Sequence, residues 1–530
     1  ERVNGNPYFK APLPKDPDGK PLRVGDLCVD GERAKRAKSP VFTLPFGFEN
    51  GSKDDPRNHI GIYMPERFLR PFRYLPKTNR RTYAEAVIYY EWEWYALPIA
   101  YVDGDDVRDY QGETYARVHF MDDYMEKLCR KNNGFLSLTG RQCYIRNQRE
   151  FLHPGEYTAD YGAGFLYYYP KDGTPETHTF GYTTLEQLLV FRHMENVTVK
   201  GLTFTGATSC YRIENGFFGG QANTEVRIEK TPERLLHHAA LRFDYSRNTT
   251  LSECVFRGIG CIGAMYTGVT VNAIVTDCRF SDIGMTALSF GEHVHTWCPT
   301  NQNICVTVEN NLFTEIGYDY PAAICMYIDL VDGLEICHNT IRRCAYSGIS
   351  VGWNWSRSAL ALGESPNVRD AEIAYNRIEQ FMTELRDGAA IYVLGGNVHP
   401  DLCKEYFNFM HDNYASYSGN PSQKNSEYPD ASKRGYYMDG SSSNWKVSDS
   451  VICGVRLPLF SQFHCPDQFT FHNLMTGVYS TYPIDKGNHA PWRDTLLGEN
   501  FDTFESEEEL LANCPAAAEI LENSGCTLEN

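Results

Sequence analysis

Short apolar runs broken by glycine, asparagine and aspartate recur through the middle of the chain. The segments CVFRGIG (254–260), CRFSDIG (278–284) and NLFTEIG (311–317) share one template, in which Ile follows Phe by three residues and Gly follows it by four. The segments NTIRRCA (339–345) and NRIEQFM (376–382) follow the template less closely. Strands this short, repeated about every two dozen residues with variable insertions, predict a solenoid of stacked coils.

The solenoid that fits this pattern is a right-handed parallel β-helix, which makes the fold class all-β. A propeller would need four strands per repeat and steadier spacing of about 40 residues, and the leucine spacing of a leucine-rich repeat is absent. We expect Phe256, Phe280 and Phe313 to stack inside the coils. Asn311, Asn339 and Asn376 each stand two residues before the apolar anchor of a repeat. We predict that they are stacked turn residues that satisfy backbone groups and have no catalytic role.

The two ends of the chain have different patterns. Residues 1–180 are rich in aromatic and charged residues with alternating strands, which predicts a β-rich accessory domain before a catalytic β-helix at 181–490. Ser506 and Glu509 form a capping box, and Pro515 begins a second helix. Residues 491–530 are therefore expected to form a short helical cap.

Composition narrows the choice of partners. The net charge is −18 and the pI is about 5.3, which excludes a nucleic acid backbone as the main partner. No apolar run approaches the ~20 residues of a membrane span, and no signal peptide is visible. The 17 cysteines include no CxxC pair, so a reducing, cytoplasmic setting is favoured over secretion. The sequence carries no signal for the oligomeric state.

Two aspartates stand beside a glycine at the edge of a predicted strand. Asp387 lies in LRDGAAIYVLGG (385–396), and Asp439 lies in GYYMDGSSSNW (435–445). One interpretation is ordinary Asp-Gly turn chemistry. The other is a catalytic pair, because coils stacked ~4.8 Å apart would bring equivalent acids to the about 5–5.5 Å separation of a retaining glycosidase. Asp329, at the end of a corresponding strand two coils before Asp387, is a weaker candidate.

Other polar and aromatic residues fit a sugar cleft. Trp353 and Trp355 follow a predicted strand, where an indole ring either stacks on a sugar or packs in the core. The segment GEHVHTWC (291–298) resembles a metal-ligand cluster, but its spacing is not that of a helical or ribbon metal site. A loop lining the cleft is the preferred interpretation, and no metal or cofactor is predicted. The expected substrate-binding residues are Trp353, Trp355, Tyr392, Glu292, His293 and His295.

The phrases GISVGW (348–353), LRDGAAIYVLGG and GYYMDGSSS (435–443), in this order, resemble glycoside hydrolase family 141. LCVDGERAKRAKSP (27–40) and GFLYYYP (164–170) resemble phrases of the family's accessory domain. The resemblance implies a right-handed parallel β-helix enzyme with fucosidase or xylanase activity and a catalytic acid pair, which maps onto Asp387 and Asp439. Related chains often have a second acid where this chain has Gly440.

The resulting hypothesis is a glycoside hydrolase, most simply a retaining one. Its substrate would be a plant-type polysaccharide or oligosaccharide that is fucoside- or xylan-like. The sequence leaves open which aspartate is the nucleophile, and inversion applies if the carboxyl groups lie more than about 6.5 Å apart. Two alternatives remain: a polysaccharide lyase on the same fold and a non-catalytic carbohydrate-binding β-helix.

Overall fold

The computed structural model describes most of the chain and divides it into two compact units. The described residues are 2–3, 6–22, 24–45, 61–72, 84–121, 138–209, 216–223, 237–292, 302–353, 367–397, 405–417, 433–440, 442–461, 473–484 and 495–529. The first unit comprises Glu1–Thr184, Cys210–Gly219 and Val226–Leu235, and the second comprises Leu185–Ser209, Gly220–Glu225 and Leu236–Asn530. Within the described ranges, no helix is long and apolar enough to span a membrane.

The first unit is built from mainly antiparallel sheets, as the alternating pattern of residues 1–180 predicts. Its largest sheet has the order Phe42–Thr43, Gln142–Arg146, Glu85–Tyr90, Glu93–Tyr110, Glu113–Phe120 and Ile62–Pro65, and Phe217–Gly219 also pairs with Glu93–Tyr110. A second sheet has the order Phe9–Pro12, Phe165–Tyr168, Glu156–Asp160 and Lys35–Arg36. Smaller sheets join Phe180–Tyr182, Leu27–Val29 and Glu32–Arg33, and Arg2–Val3 with Asn6–Pro7. A short helix, Glu66–Leu69, packs into the same apolar core as the largest sheet.

The second unit is the predicted parallel β-helix, with three sheets that we name A, B and C. Sheet A contains, in stacking order, Leu189–Arg192, Ala239–Asp244, Ile262–Thr267, Leu288–Phe290, Met326–Ile328, Ile349–Val351, Gly388–Leu394, Lys433–Asp439 and Leu457–Ser461. Sheet B contains Glu195–Lys200, Arg247–Ser252, Val269–Thr276, Gln302–Glu309, Val331–Cys337, Val368–Ala374, Asn408–His411, Trp445–Ser448, Asn473–Met475 and Thr495–Leu497. Sheet C contains Thr203–Phe204, Val255–Ile259, Arg279–Ile283, Leu312–Ile316, Thr340–Cys344, Arg377–Glu379, Tyr414–Ser416, Ser450–Cys453, Val478–Ser480 and Phe501–Thr503.

The repeated phenylalanines stack inside the coils, which confirms the repeat. In sheet C, Phe256 pairs with Phe280 and Phe280 with Phe313. The ring centroids of these two pairs are 4.6 and 4.8 Å apart, with interplanar angles of 5° and 11°. Ile341 and Ile378 continue the same column in the next two coils. The column is solvent-free, so every coil buries its anchor against the coil before it.

The predicted turn asparagines form a ladder between sheets B and C. The Nδ2 atoms of Asn311, Asn339 and Asn376 each donate to the Oδ1 atom of the next asparagine, and the last partner is Asn413. Each Nδ2 also donates to backbone carbonyls, as Asn376 does to Ile336 at 2.8 Å and to Ala374 at 3.0 Å. The ladder therefore gives buried carbonyl groups beside each turn a further hydrogen bond.

The residue before each rung has a left-handed backbone conformation. His338, Tyr375 and Asp412 have φ values of 54°, 55° and 52°. Cys254 and Cys278 occupy the equivalent rung positions in earlier coils, and their Sγ atoms donate to the carbonyls of Val199 and Leu251. Cysteine therefore replaces asparagine as the buried donor at those two turns, which explains why the first two repeats begin with Cys.

The predicted C-terminal helices are Glu507–Asn513 and Pro515–Asn523. Ser506 Oγ accepts the Glu509 N–H at 3.1 Å, as the capping box predicts. Leu510, Ala517 and Ile520 pack against Tyr414, Val451 and Cys453 of sheet C. The helical cap thus covers the outer side of sheet C, after the parallel stacks end at Thr503.

We predict that Asn376→Ala lowers the free energy of unfolding by roughly 2–5 kcal/mol, because the change leaves several buried donors and acceptors without partners. Urea unfolding followed by circular dichroism would measure the loss. Asn513→Ala is the control, because the Asn513 side chain is exposed and bonds only within its own helix. Equal free energies of unfolding of the two variants would contradict a stabilising role for the ladder.

Candidate active site on the outer face of sheet A

Side chains along sheet A alternate between the interior and an outer face. Tyr436 points inward, where its hydroxyl group lies by Ser450 and Asn413 at the end of the ladder. Because successive strand residues point to opposite faces, Tyr437 and Asp439 project outward. Tyr392 pairs with Tyr437 and shares that face. The outer face of sheet A therefore carries both predicted aromatic and acidic residues.

Asp439 is the last residue of its strand and is only 4% exposed. Tyr392 Oη donates to Asp439 Oδ2 at 2.6 Å, and the Gly440 N–H donates to Asp439 Oδ1 at 2.8 Å. The pKa of Asp439 is raised to about 6, because burial and then the negative charge of Asp387 outweigh the hydrogen bond from Tyr392. A carboxyl group in this state exchanges a proton close to neutral pH.

Asp387 stands directly before strand Gly388–Leu394, with a left-handed φ of 59°. Its Oδ1 atom accepts Arg434 Nη1 at 2.7 Å. The Arg434 guanidinium lies 4.4 Å from the Tyr437 ring centroid and 4.2 Å from that of Phe460. The ion pair and the two rings fix Arg434 on the outer face, and its positive charge favours the ionised form of Asp387.

The register of the two strands does not place the two aspartates at equivalent positions. Asp439 pairs with Leu394, seven residues after Asp387, whereas Gly388 pairs with Lys433. The direct coil-on-coil stacking expected from the sequence is therefore wrong for this pair. The two acids are nevertheless linked electrostatically, since the charges of Asp387 and Arg434 both act on the pKa of Asp439.

Trp353 and Tyr392 are buried, at 2% and 1% exposure. Their ring centroids are 5.6 Å apart with an interplanar angle of 24°, and Trp353 Nε1 donates to Ser350 Oγ at 2.8 Å. The observed contacts hold Tyr392 in position to donate to Asp439. Trp355, the other tryptophan expected to bind sugar, lies outside the described residues.

Asp329 is a second buried acid on the outer face of sheet A, also 4% exposed. Burial, with a further contribution from the charge of Glu292, raises its pKa to about 8. His293 and His295 lie outside the described ranges, so the structure does not test their proposed role. No group of three or more His, Cys, Asp or Glu side chains in the described part of the chain is arranged to hold a metal ion.

Arg434 was not predicted from the sequence, and Asp329 was predicted only as a weaker candidate. A basic residue at the start of KRGYYMD (433–439) was the available signal for Arg434, but only the strand register brings it to Asp387.

Two strings that match the short motifs GxGxxG and GxSxG have structural roles. GIGCIG (258–263) links two parallel strands, and GISVG (348–352) surrounds Ser350, whose strand position is buried beneath Trp353.

The fold is shared with a solved structure described as a glycoside hydrolase. The two chains are 19% identical, with a TM-score of 0.62, and the match covers 98% of this chain and 82% of the other. The catalytic domain of a family 87 α-1,3-glucanase in complex with nigerose matches with a TM-score of only 0.20 and 9% identity, covering 91% of this chain and 98% of that one. No protein-family model and no curated protein matches the sequence. Membership of family 141 therefore stays a prediction.

We predict that Asp439→Asn stabilises the protein at pH 8 relative to wild type, by up to about 2 kcal/mol, because the charged form of Asp439 is buried at a cost. Because the native pKa of about 6 lies above the ordinary value of 3.8, the favourable contribution of the protonated group is complete below pH 3.8 and is lost as the pH rises through 6. Thermal unfolding from pH 3.5 to 8 would measure the difference. A stabilisation that does not grow with pH would contradict the assignment.

Proposed function

We propose that the protein is a glycoside hydrolase that acts on a plant-type polysaccharide or oligosaccharide, fucoside- or xylan-like, at the outer face of sheet A. The observation that carries the proposal is Asp439, a buried carboxyl group with a raised pKa of about 6, linked electrostatically to Asp387. Glycosidases use two carboxyl groups whose environments separate their protonation states. The likeness to a solved glycoside hydrolase supports the same choice.

The environments of the two acids suggest their roles. Asp439 is the general acid, because burial favours its protonated form and a general acid must have a proton to give to the leaving oxygen. Asp387 is the ionised partner, because it accepts a charge-assisted hydrogen bond from Arg434. Tyr392 is a positioning residue, since its hydroxyl group orients the Asp439 carboxyl group.

Inversion and retention differ in the separation of the two carboxyl groups. Retaining enzymes need carboxyl groups about 5–5.5 Å apart, whereas inverting enzymes separate them by about 6.5–9.5 Å and place a water molecule between. Asp387 would activate the water molecule as general base in an inverting enzyme, and would attack the anomeric carbon as nucleophile in a retaining one.

The alternatives fit the described residues less well. A lyase needs a basic residue to take a proton and a positive charge to neutralise a uronate. Arg434, a basic residue at this site, is engaged by Asp387 and packed on two aromatic rings. A non-catalytic binding module would present open aromatic surfaces, whereas Trp353 and Tyr392 are buried.

Asp387→Asn and Asp439→Asn should each reduce hydrolysis by roughly 10²–10⁴-fold, the usual contribution of a positioned acid or base. Aryl fucosides, xylosides, galactosides and arabinosides would be screened with wild type and both variants. Asp439→Asn should lose much less activity on nitrophenyl glycosides than on alkyl glycosides, because a good leaving group needs little protonation, while Asp387→Asn should lose activity on both.

The matched control is Asp449→Asn, a turn aspartate with a φ of 46° at an exposed turn between sheets B and C. It should leave the rate unchanged. Full activity of either site variant on a substrate that wild type hydrolyses would remove that residue from the mechanism. Unsaturated products would favour the lyase. An initial product with retained anomeric configuration, observed by NMR, would contradict inversion.

Tyr392→Phe should move the alkaline limb of the pH profile of kcat/KM upward from about pH 6. The lost hydrogen bond contributes about 1 kcal/mol, which corresponds to roughly one unit in the pKa of Asp439. The sign follows because that bond stabilises the charged carboxylate, so its removal keeps Asp439 protonated to higher pH. Tyr414→Phe, which removes a phenol contact to Glu507 at sheet C, is the control and should not move the limb. A limb that stays in place or moves down would exclude Asp439 as the acid.

A further inference from the structure

Asp329 lies in the same outer row of sheet A as Asp439. Ile328 pairs with Val351, and Val351 pairs with Val393, while Leu394 pairs with Asp439. The residues that follow these partners form one row across the sheet, which we name the outer row: Gly291, Asp329, Gly352, Leu394 and Asp439. Asp329 and Asp439 therefore project from the same face at the same height, three strand spacings apart.

The separation excludes Asp329 as the catalytic partner of Asp439. Three strand spacings correspond to about 14 Å between the Cα atoms. That distance exceeds the roughly 6.5–9.5 Å between the two carboxyl groups of an inverting glycosidase. If both acids contact one bound glycan, they contact different sugar units.

Glycines flank Asp329 on both sides in the outer row. Gly291 has a φ of 137°, and a Cβ atom there would lie 2.6 Å from the Asp329 Cβ atom. Gly352 has a φ of 99°, and a Cβ atom there would lie 2.3 Å from the Leu394 carbonyl oxygen. Both backbone conformations favour glycine, so the outer-row positions on either side of Asp329 carry no side chain.

One carboxyl oxygen of Asp329 has a defined partner. Asp329 Oδ1 accepts the Leu330 N–H at 2.9 Å, and Oδ2 lies on the side of Gly291. Two titratable groups interact electrostatically with Asp329: Glu292, which follows Gly291 in the preceding coil, and Tyr327 on its own strand. On the side of the next coil, the outer-row residue is the uncharged Gly352. Because its pKa is about 8, Asp329 carries a proton at neutral pH and is a hydrogen-bond donor there.

A continuous layer of aromatic rings connects the two acids. Trp353 lies between Tyr327 and Tyr392, with ring centroids 5.4 and 5.6 Å away. Tyr392 in turn donates to Asp439. The surface from Asp329 to Asp439 is therefore supported by one packed unit, which would hold two sugar-binding positions at a fixed spacing.

We propose that Asp329 binds a hydroxyl group of a second, uncharged sugar unit on the outer face of sheet A, away from the bond that is cleaved. The inference rests on the proposed glycosidase function. An anionic sugar at this position would meet the negative charge of Glu292 on a chain of net charge −18, whereas a neutral sugar offers hydroxyl groups that accept the Asp329 proton in a hydrogen bond.

The test compares substrates of one and several sugar units. The probes are the aryl monosaccharide that the screen identifies and neutral oligosaccharides of two to five units of that sugar. Asp329→Ala should change kcat/KM on the aryl monosaccharide by less than threefold and raise KM on the longer oligosaccharides at least tenfold, with kcat nearly constant. Asp329→Asn should restore most of the affinity, because an amide also donates a hydrogen bond.

The pH dependence of KM distinguishes sugar binding by Asp329 from a structural role, because a structural role would leave that dependence unchanged. KM of wild type for the oligosaccharides should rise above pH 8 as Asp329 loses its proton, and Asp329→Asn should abolish that rise. Equal losses on short and long substrates, or a KM unaffected by Asp329→Ala, would overturn the proposal.

A second measurement separates this proposal from the glycosidase itself. If wild type hydrolyses no glycoside, the proposed function fails, and calorimetry with neutral xylo-oligosaccharides and fucosylated oligosaccharides tests binding alone. Tighter binding by wild type than by Asp329→Ala would support the sugar position. Equal binding, absence of binding, or a preference for uronate-containing oligosaccharides would reject it.

Discussion

In-register stacking of the coils is the constraint on which the rest of the β-helix depends. Each strand is too short to be stable alone, so its backbone groups and its anchor side chain must be satisfied by the coils on either side. The phenylalanine column buries apolar surface, and the asparagine ladder satisfies turn carbonyls in the same coils. Together they fix the register, and the register decides which side chains become neighbours on the outer face.

The outer face of sheet A carries buried acids, each of which accepts at least one hydrogen bond. Asp439 and Asp329 are both buried, and burial raises the pKa of each. Asp387 differs from these two acids, because it forms an ion pair with Arg434. Three acids on one scaffold thus have different environments, since burial acts on Asp439 and Asp329 and an ion pair on Asp387.

The aromatic residues of this face position the acids and their partners. Tyr392 donates to Asp439, Trp353 packs between Tyr327 and Tyr392, and Tyr437 with Phe460 supports Arg434. A rigid apolar layer beneath polar groups limits their motion and lowers the local dielectric, so each hydrogen bond orients its acid more strongly. The positions of the acids are accordingly properties of packing as much as of electrostatics.

The sequence by itself determined the solenoid, because stacking demands the same residue at the same place in every coil and so leaves a readable repeat. The anchors Phe256, Phe280 and Phe313 and the rungs Asn339 and Asn376 were predictable for that reason. The site residues carry no such repeat. Insertions of variable length separate the coils, so the spacing of Asp387 and Asp439 suggested equivalent positions that the strand register does not give. The salt bridge to Arg434, the burial of Trp353 and Tyr392, and the alignment of Asp329 with Asp439 were decided only by the tertiary structure, since each depends on which residues of distant coils pair across sheet A.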